Sequence, residues 1–429
     1  MNSAFALSES QALDIAQACV ASKLSSHTLP NDEVDLVGTG ALDSMGWVDT
    51  LIGIESAASI RDFGNPWPDD RPKSIRALAD MIREAQKPTA DESSRAGPRR
   101  QADGERDTAV GGWGYALGSL TVDAEEIERT LALPMRKIRD GAGIQSVRIA
   151  ANGEDELTLS KRAAEIALEM TEIPVEQIDF LVATSTTFLG FPSFAASLHS
   201  RLLLRETCGA LDVGGACAGL IYSLAVAKSL LRTKPEGVAL IVVAEVHSRR
   251  LSGLHVPGEF RGLFGDGACA FVLTNDSNAA QEGCSRLREF NWGCSGRFAS
   301  ALGVKISENA GLNVQFKGEQ LAHAAIAELD RIIGTLETLS AKPRSEVDYF
   351  ALHQPNPRVV EILAEKAKIP LERIPLISKT CGNLGSVTCG ASLCQALSNL
   401  HVSGDHSRTP LIFMAAVAPG LLWGGAFLN

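Results

Sequence analysis

The chain has no excess of positive charge, no C-x-x-C pair, no Cys/His cluster at zinc spacing and no basic segment leading an apolar start. Each absence excludes something. A formal net charge of -11 at pH 7 argues against binding nucleic acid or an anionic membrane, since phosphates and acidic lipids repel such a surface. Nine cysteines, an odd number scattered without ligand spacing, fit buried thiols in a reducing compartment, not a disulfide framework or a metal site. The opening MNSAFALSES lacks a basic n-region and a long apolar core, so no secretory signal is expected and the expected location is the cytoplasm.

One stretch is apolar enough to need a membrane test. PLIFMAAVAPGLLWGGAFL, 410 to 428, is uncharged over nearly a bilayer-spanning length. Pro419, Gly420, Gly424 and Gly425 interrupt any continuous helix there, so two short buried strands joined by a tight turn are expected.

What is present divides the chain. With 429 residues, 45% of them hydrophobic, there is material for more than one core. From Pro88 to Val110 the run PTADESSRAGPRRQADGERDTAV has almost no large apolar residues, which is linker composition. Before it, residues 1–87 carry apolar positions at helical spacing: Leu13, Ile15, Ala16, Cys19, Val20 and Leu24, then Ile75, Leu78, Ala79 and Ile82. A small helical bundle is predicted there. After it, in 111–429, apolar strand candidates (IDFLVATST, VALIVVAE, CAFVLTN, VDYFALHQ, LIFMAAVA) alternate with helix candidates (LSKRAAEIALEM, AGLIYSLAVAKSLL, GEQLAHAAIAELDRIIGTLETL). Strands buried on both faces and separated by helices imply a layered α/β domain.

Three places in this domain could carry chemistry. In LDVGGACAGLIYSLAVAKSLL a strand-like stretch passes through small residues into Cys217, with a long apolar helix following. A thiol at a helix N-terminus feels the positive end of the macrodipole, which favours thiolate; a buried small hydrophobe is the plain alternative. In VDYFALHQPNPRVVEIL, His353 leaves an apolar strand for a polar loop, placed either to face a pocket or to be satisfied in the core. In SKTCGNLGSVTCGASL, Asn383 stands between glycines ahead of a helix, where an ordinary turn is the plain reading. Together, Cys, His and Asn at such junctions make a constellation for thioester chemistry.

The series GYALGSL, GIQSVRIA, ATSTTFLGFPS, DVGGACAGLIYSL, LFGDGACAFVL, LHQPNPR, GNLGSVTCGASL and GLLWGGAFL resembles, in order, the type III ketoacyl synthases of the thiolase-fold condensing enzymes. The resemblance implies a five-layered αβαβα domain over 111–429 and a homodimer. It implies that Cys217 accepts an acyl group, its own N–H helping to hold the oxyanion. His353 and Asn383 would hydrogen-bond the carbonyl of a malonyl-type thioester as carbon dioxide leaves, and Asn356 and Arg358 would line the pantetheine entrance. No metal is implied. Two departures stand out. A gap-free count from Trp423 puts Pro419, which has no N–H, where the family offers a second oxyanion donor. Lys137 and Gly141 stand where many members carry a tryptophan and an arginine for coenzyme A, which favours a carrier-bound acyl donor over acyl-CoA.

Residues 1–87 resemble an acyl or peptidyl carrier protein, whose signature is matched by Asp43-Ser44-Met45 after DLVGTGAL. That resemblance implies a 4'-phosphopantetheine arm on Ser44, attached by a phosphopantetheinyl transferase. Residues 1–60 hold 8 Asp or Glu against 1 Lys, an acidic face suited to basic partner patches; separate carrier proteins are among the expected partners. A linker of 23 residues has an r.m.s. reach of roughly 25 Å, which makes delivery effectively intramolecular. The expected fold class is therefore α plus α/β, a carrier-like bundle followed by a thiolase-like domain. The expected function is decarboxylative condensation of an acyl-Cys217 with a malonyl-type carrier thioester, in polyketide or specialised fatty-acyl metabolism. The alternative is acyl transfer from Cys217 to a thiol, alcohol or amine without forming a carbon–carbon bond.

Overall fold

The computed structural model describes residues 7–24, 28–60, 73–85, 107–252, 256–275, 285–296, 302–306, 312–403 and 409–429. The chain divides into two compact units, residues 1–101 with Lys317–Ala327, and 102–316 with Glu328–Asn429. Most of the stretch read as linker lies outside the described residues. Its last residues do not: a strand already begins at Thr108, because Thr-Ala-Val pairs with strand partners despite its small side chains.

In the first unit the helices Glu9–Ala21, Ser44–Ala57 and Ile75–Ala85 bury one shared cluster. Ala12, Ala16, Val20, Leu36, Leu42, Trp47, Ile54, Leu78 and Ile82 form it, which is the apolar periodicity read from the sequence. The caps follow local chemistry. Ser8 and Gln11 make a reciprocal capping box at the first helix, and Asp43 accepts from the Gly46 N–H at 2.6 Å at the second.

The second unit is built on strands in the spatial order Tyr349–Leu352, Ile412–Ala418, Leu422–Leu428, Ser285–Cys294, Thr108–Leu117, Asp266–Asn275, Val238–Val246, Phe180–Thr184 and Gly209–Asp212. Among the described residues the two half-sheets are joined where Thr108–Val110 pairs with Ser285–Leu287. Between them lie two apolar helices, Gly219–Leu231 and Val387–Ser403, which share one core with residues of both halves such as Phe271, Ile241, Met414 and Ala426. The outer face of one half is covered by Glu156–Glu169 and Phe194–Arg201. The other half receives Ile332 and Leu336 of the helix Gly318–Ser340 against Gly425. The layers thus run helix, sheet, helix, sheet, helix. The suspect C-terminal stretch is two buried strands, 412–418 and 422–428, joined by a turn at Pro419–Leu421. No described helix is long and apolar enough to cross a membrane.

The central helices pack close to the sheet, and glycine is what allows it. A Cβ on Gly390 would fall on Cys269 Sγ and within 3.3 Å of Leu220. Gly390→Ala would gain about 1 kcal/mol of helix propensity. We expect a net loss of about 1–3 kcal/mol instead, through overpacking, seen as a lower midpoint in thermal unfolding.

Candidate active site

Cys217 lies in a single tight turn, Ala216–Ala218, between the strand Gly209–Asp212 and the helix Gly219–Leu231. The approach is strained: Ala216 has φ 43°, a conformation costly for any residue with a Cβ. Gly215 makes the turn sterically feasible, since a Cβ there would lie 2.7 Å from Gly219 Cα. The outcome is a half-buried thiol at the mouth of an apolar helix.

The helix end does not make this thiol a thiolate. Burial first, and the charge of Glu245 second, push Cys217 up to about 12, with only its own backbone N–H acting in the other direction. Desolvation of the anion outweighs the macrodipole, which corrects the expectation of a favoured thiolate.

Glu245 was not singled out from the sequence. It ends the strand Val238–Val246 and is fully buried. Its Oε2 accepts from Thr186 N–H at 3.0 Å, Thr186 Oγ1 at 2.7 Å and Thr187 N–H at 3.1 Å, and its Oε1 from Ser386 Oγ at 2.6 Å. The available signal was a lone carboxylate closing an otherwise apolar run, VALIVVAE, because buried acids need such partners.

His353 follows the strand Tyr349–Leu352 and is 5% exposed. Its backbone N–H donates to Ala415 O at 2.9 Å, anchoring it beside the strand Ile412–Ala418. Burial lowers its imidazole to about 4; the Gly385 backbone opposes this and nearby His247 reinforces it. It is therefore neutral at pH 7.

Asn383 sits in the loop between the turn Ser378–Cys381 and the helix Val387–Ser403, 6% exposed. Its Oδ1 accepts from the Gly385 N–H at 2.9 Å, which leaves the amide NH2 as the end turned to donate. Gly385, at φ 60°, touches both His247 and Glu245: a Cβ there would lie 2.7 Å from His247 Cε1 and 3.3 Å from Glu245 Cγ. Through Gly385, Ser386 and Glu245 the structure brings Cys217, His353 and Asn383 into one neighbourhood.

The remaining candidates fall elsewhere. Asn356 caps the helix Pro357–Ala367, its Oδ1 accepting from Val359 N–H at 2.9 Å. Arg358 is partly exposed, 3.4 Å from Glu361. Its N–H donates to Ala142 O at 3.3 Å, so the Lys137–Gly141 segment and this helix start are neighbours. Pro419 opens the turn Pro419–Leu421, and the next residue, Gly420, has φ 105°. Ser44 is the first residue of its helix in the other unit, partly exposed, with no hydrogen-bond partner for its hydroxyl among the described residues. No group of His, Cys, Asp and Glu among the described residues could hold a metal ion.

Layered half-sheets around two buried helices, with a cysteine at the mouth of one and a histidine and an asparagine sharing Gly385 ahead of the other, are an arrangement suited to a thiolase-like acyl-transferring enzyme. Residues 211–296 match the family model of 3-oxoacyl-[acyl-carrier-protein] synthase III, and 340–429 match that of its C-terminal part. The β-ketoacyl-[acyl-carrier-protein] synthase III of Ruegeria pomeroyi is 31% identical over 323 residues, 75% of this chain and 98% of that protein. That of Cereibacter sphaeroides is 30% identical over the same shares. Among solved structures, the Aquifex aeolicus synthase III is 27% identical with a TM-score of 0.63, covering 75% of this chain and 99% of its own. Xanthomonas campestris OleA, 19% identical at TM-score 0.65 over 75% and 98%, shares the fold. The chain belongs to the β-ketoacyl-[acyl-carrier-protein] synthase III family, and it is an acyltransferase-type enzyme.

The raised thiol yields a direct expectation. Alkylation of Cys217 by iodoacetamide should rise about tenfold per pH unit from 7 to 10, following the thiolate fraction. Glu245→Gln removes the charge that helps hold the proton, so at fixed pH its alkylation should be faster, at a stability cost of about 2 kcal/mol for mismatched buried donors.

Proposed function

We propose that this enzyme is a decarboxylative condensing enzyme with a carrier fused in the same chain. What supports the reading is a buried pair meeting at Gly385, His353, held uncharged by burial, and Asn383, its amide oxygen tied to Gly385 and its NH2 left to donate, with Cys217 sharing the neighbouring Glu245. An enolate oxygen needs donors that are fixed in advance and that do not protonate the carbanion.

In this reading the Cys217 sulfur attacks the carbonyl of an acyl thioester. The donor's thiol departs with the proton and the acyl group stays on Cys217. A malonyl-type thioester then loses carbon dioxide. The electrons of the broken carbon–carbon bond move into an enolate whose oxygen is held by His353 and Asn383. The enolate carbon attacks the acyl-Cys217 carbonyl, the new carbon–carbon bond forms, and Cys217 leaves as thiolate and regains a proton. Cys217's own N–H serves the tetrahedral oxyanion, and past Pro419 the next N–H able to assist belongs to Gly420.

Ser44 would hold a 4'-phosphopantetheine arm, whose thiol carries an acyl group when attached. Its place at a helix start behind the Asp43 cap, with a hydroxyl bonded to nothing described, supports that assignment. Acyl and malonyl thioesters are the proposed substrates. A homodimer, separate carrier proteins, a cytoplasmic location and a specialised polyketide or fatty-acyl role belong to the same proposal. Pro419 favours a second reading, acyl transfer from Cys217 without carbon–carbon bond formation, because condensation leans hardest on a complete oxyanion site.

Peptide mass spectrometry after treatment with a broad-range phosphopantetheinyl transferase, then with acyl and malonyl thioesters, tests the assembly. The expected result is an arm on the Ser44 peptide, an acyl group on the Cys217 peptide, and carbon dioxide release. Acylation with no carbon dioxide selects the second reading. A bare Ser44 removes the carrier assignment.

Asn383→Ala should lower carbon dioxide release by about 10²–10³-fold while Cys217 still acylates, read by intact mass. Because His353 titrates near 4 instead of 6.5, decarboxylation should show no acid limb at pH 6–7 and should fall only toward pH 4. Stability has the same sign. The unfolded chain takes up this proton first as pH drops, so the folded state loses stability between pH 6.5 and 4, visible as a falling thermal midpoint that His353→Gln lacks.

A further inference from the structure

A second imidazole stands in the same neighbourhood with no role in the steps above. His247 opens the short helix His247–Ser252 directly after the strand that ends with Glu245 and Val246, and it is 8% exposed. Its Nδ1 lies 3.2 Å from Gly265 O. A carbonyl only accepts, so Nδ1 carries the hydrogen and donates it. The ring also packs on Phe264, centroids 4.6 Å apart.

The segment that His247 grips is the one that grips Asn383. The Asn383 N–H donates to Leu263 O at 2.7 Å, and the Gly265 N–H donates to Asn383 O at 3.1 Å. On its other side the His247 ring fills the space a side chain at 385 would need: a Cβ there would lie 2.7 Å from Cε1 and 3.0 Å from Nε2. Gly385 is in turn the residue whose N–H holds Asn383 Oδ1. One ring therefore touches both strands of backbone that orient one amide.

We propose that His247 is a positioning residue for Asn383: by hydrogen-bonding Gly265 and packing under Gly385 it fixes the direction in which the Asn383 amide donates. A mere filler would need volume alone, which phenylalanine or leucine supplies. The Nδ1–H to Gly265 bond is what a filler lacks, and it holds the Gly265 end of the Leu263–Gly265 segment. The inference rests on the condensing reading in one respect, that the Asn383 amide serves the thioester oxygen.

The test compares His247→Phe, which keeps a ring and loses the donor, with His247→Asn, whose amide nitrogen stands close to the Nδ1 position. In His247→Phe, deuterium uptake measured by mass spectrometry should rise in peptides spanning 263–265 and 383–385 but not in the peptide holding Cys217. Carbon dioxide release from a malonyl thioester should fall roughly tenfold or more, with acylation of Cys217 within about twofold. His247→Asn should restore most of both. In an Asn383→Ala background His247→Phe should cost nothing further, because it acts through the missing amide. Unchanged uptake and rate in His247→Phe, acylation and decarboxylation falling in parallel, or losses that multiply in the double variant would overturn the proposal. Should the wild type release no carbon dioxide, the condensing reading falls and the exchange pattern alone decides the positioning. If His247→Phe does not fold, His247→Asn against His247→Gln takes its place, with Gln, which cannot reach Gly265 in the same way, expected to behave as the deficient variant.

Discussion

Much of this site depends on a carboxylate taken entirely out of water. Glu245 is stable there only because four donors from two separate segments point at it: the Thr186 N–H and hydroxyl, the Thr187 N–H and the Ser386 hydroxyl. A buried acid without such a shell would cost several kcal/mol or take up a proton. The network therefore fixes the loop after the strand Phe180–Thr184 and the start of the helix Val387–Ser403 relative to the strand Val238–Val246. Cys217 is raised by the same charge, and Gly385, one residue from Ser386, touches it.

That arrangement exchanges nucleophile readiness for dryness. A thiol pushed up to about 12 and an imidazole lowered to about 4 are both uncharged at neutral pH. Burial disfavours each charged form for the same reason. In the proposed condensation such a site would keep water away from the carbanion, and every fixed dipole would count for more because little solvent screens it. In that proposed reaction the thiol would give up its proton during attack, not before it.

Much of the fold was legible because its signals are local. The long helices and the apolar strands announce themselves by period and length, and the 410–428 stretch could be assigned to two strands on its proline and glycines alone. Cys217, His353 and Asn383 were singled out by their junctions and the family series, and the structure gathers them around Glu245 and Gly385. What stayed hidden depends on residues distant in sequence. The strand from Thr108 looked like linker at its start, since its partners are at 267–275 and 285–287. Glu245 reads as one acid in an apolar run, and His247 as one more histidine, until Ser386 and Gly385 arrive from about 140 residues away. The thiolate expectation failed similarly, since a helix end is visible in sequence and desolvation is not. Asn356, read as a substrate contact, has a cap to make that any Asn-Pro helix start could have suggested.

The junction of the half-sheets has a consequence for how the larger unit is made. Thr108–Leu117 is a central strand, bordered on one side by Asp266–Asn275 and on the other by Ser285–Cys294. As the chain leaves the ribosome this strand emerges early, yet both its neighbours follow only after some 150 further residues. Contacts of such separation are slow to form and leave an apolar strand unpaired meanwhile. The three helices that precede it bury a cluster drawn from residues 7–82, although the compact unit they belong to takes in Lys317–Ala327 only later. During synthesis that cluster can gather from neighbouring residues in the interval in which the central strand of the large unit waits for company.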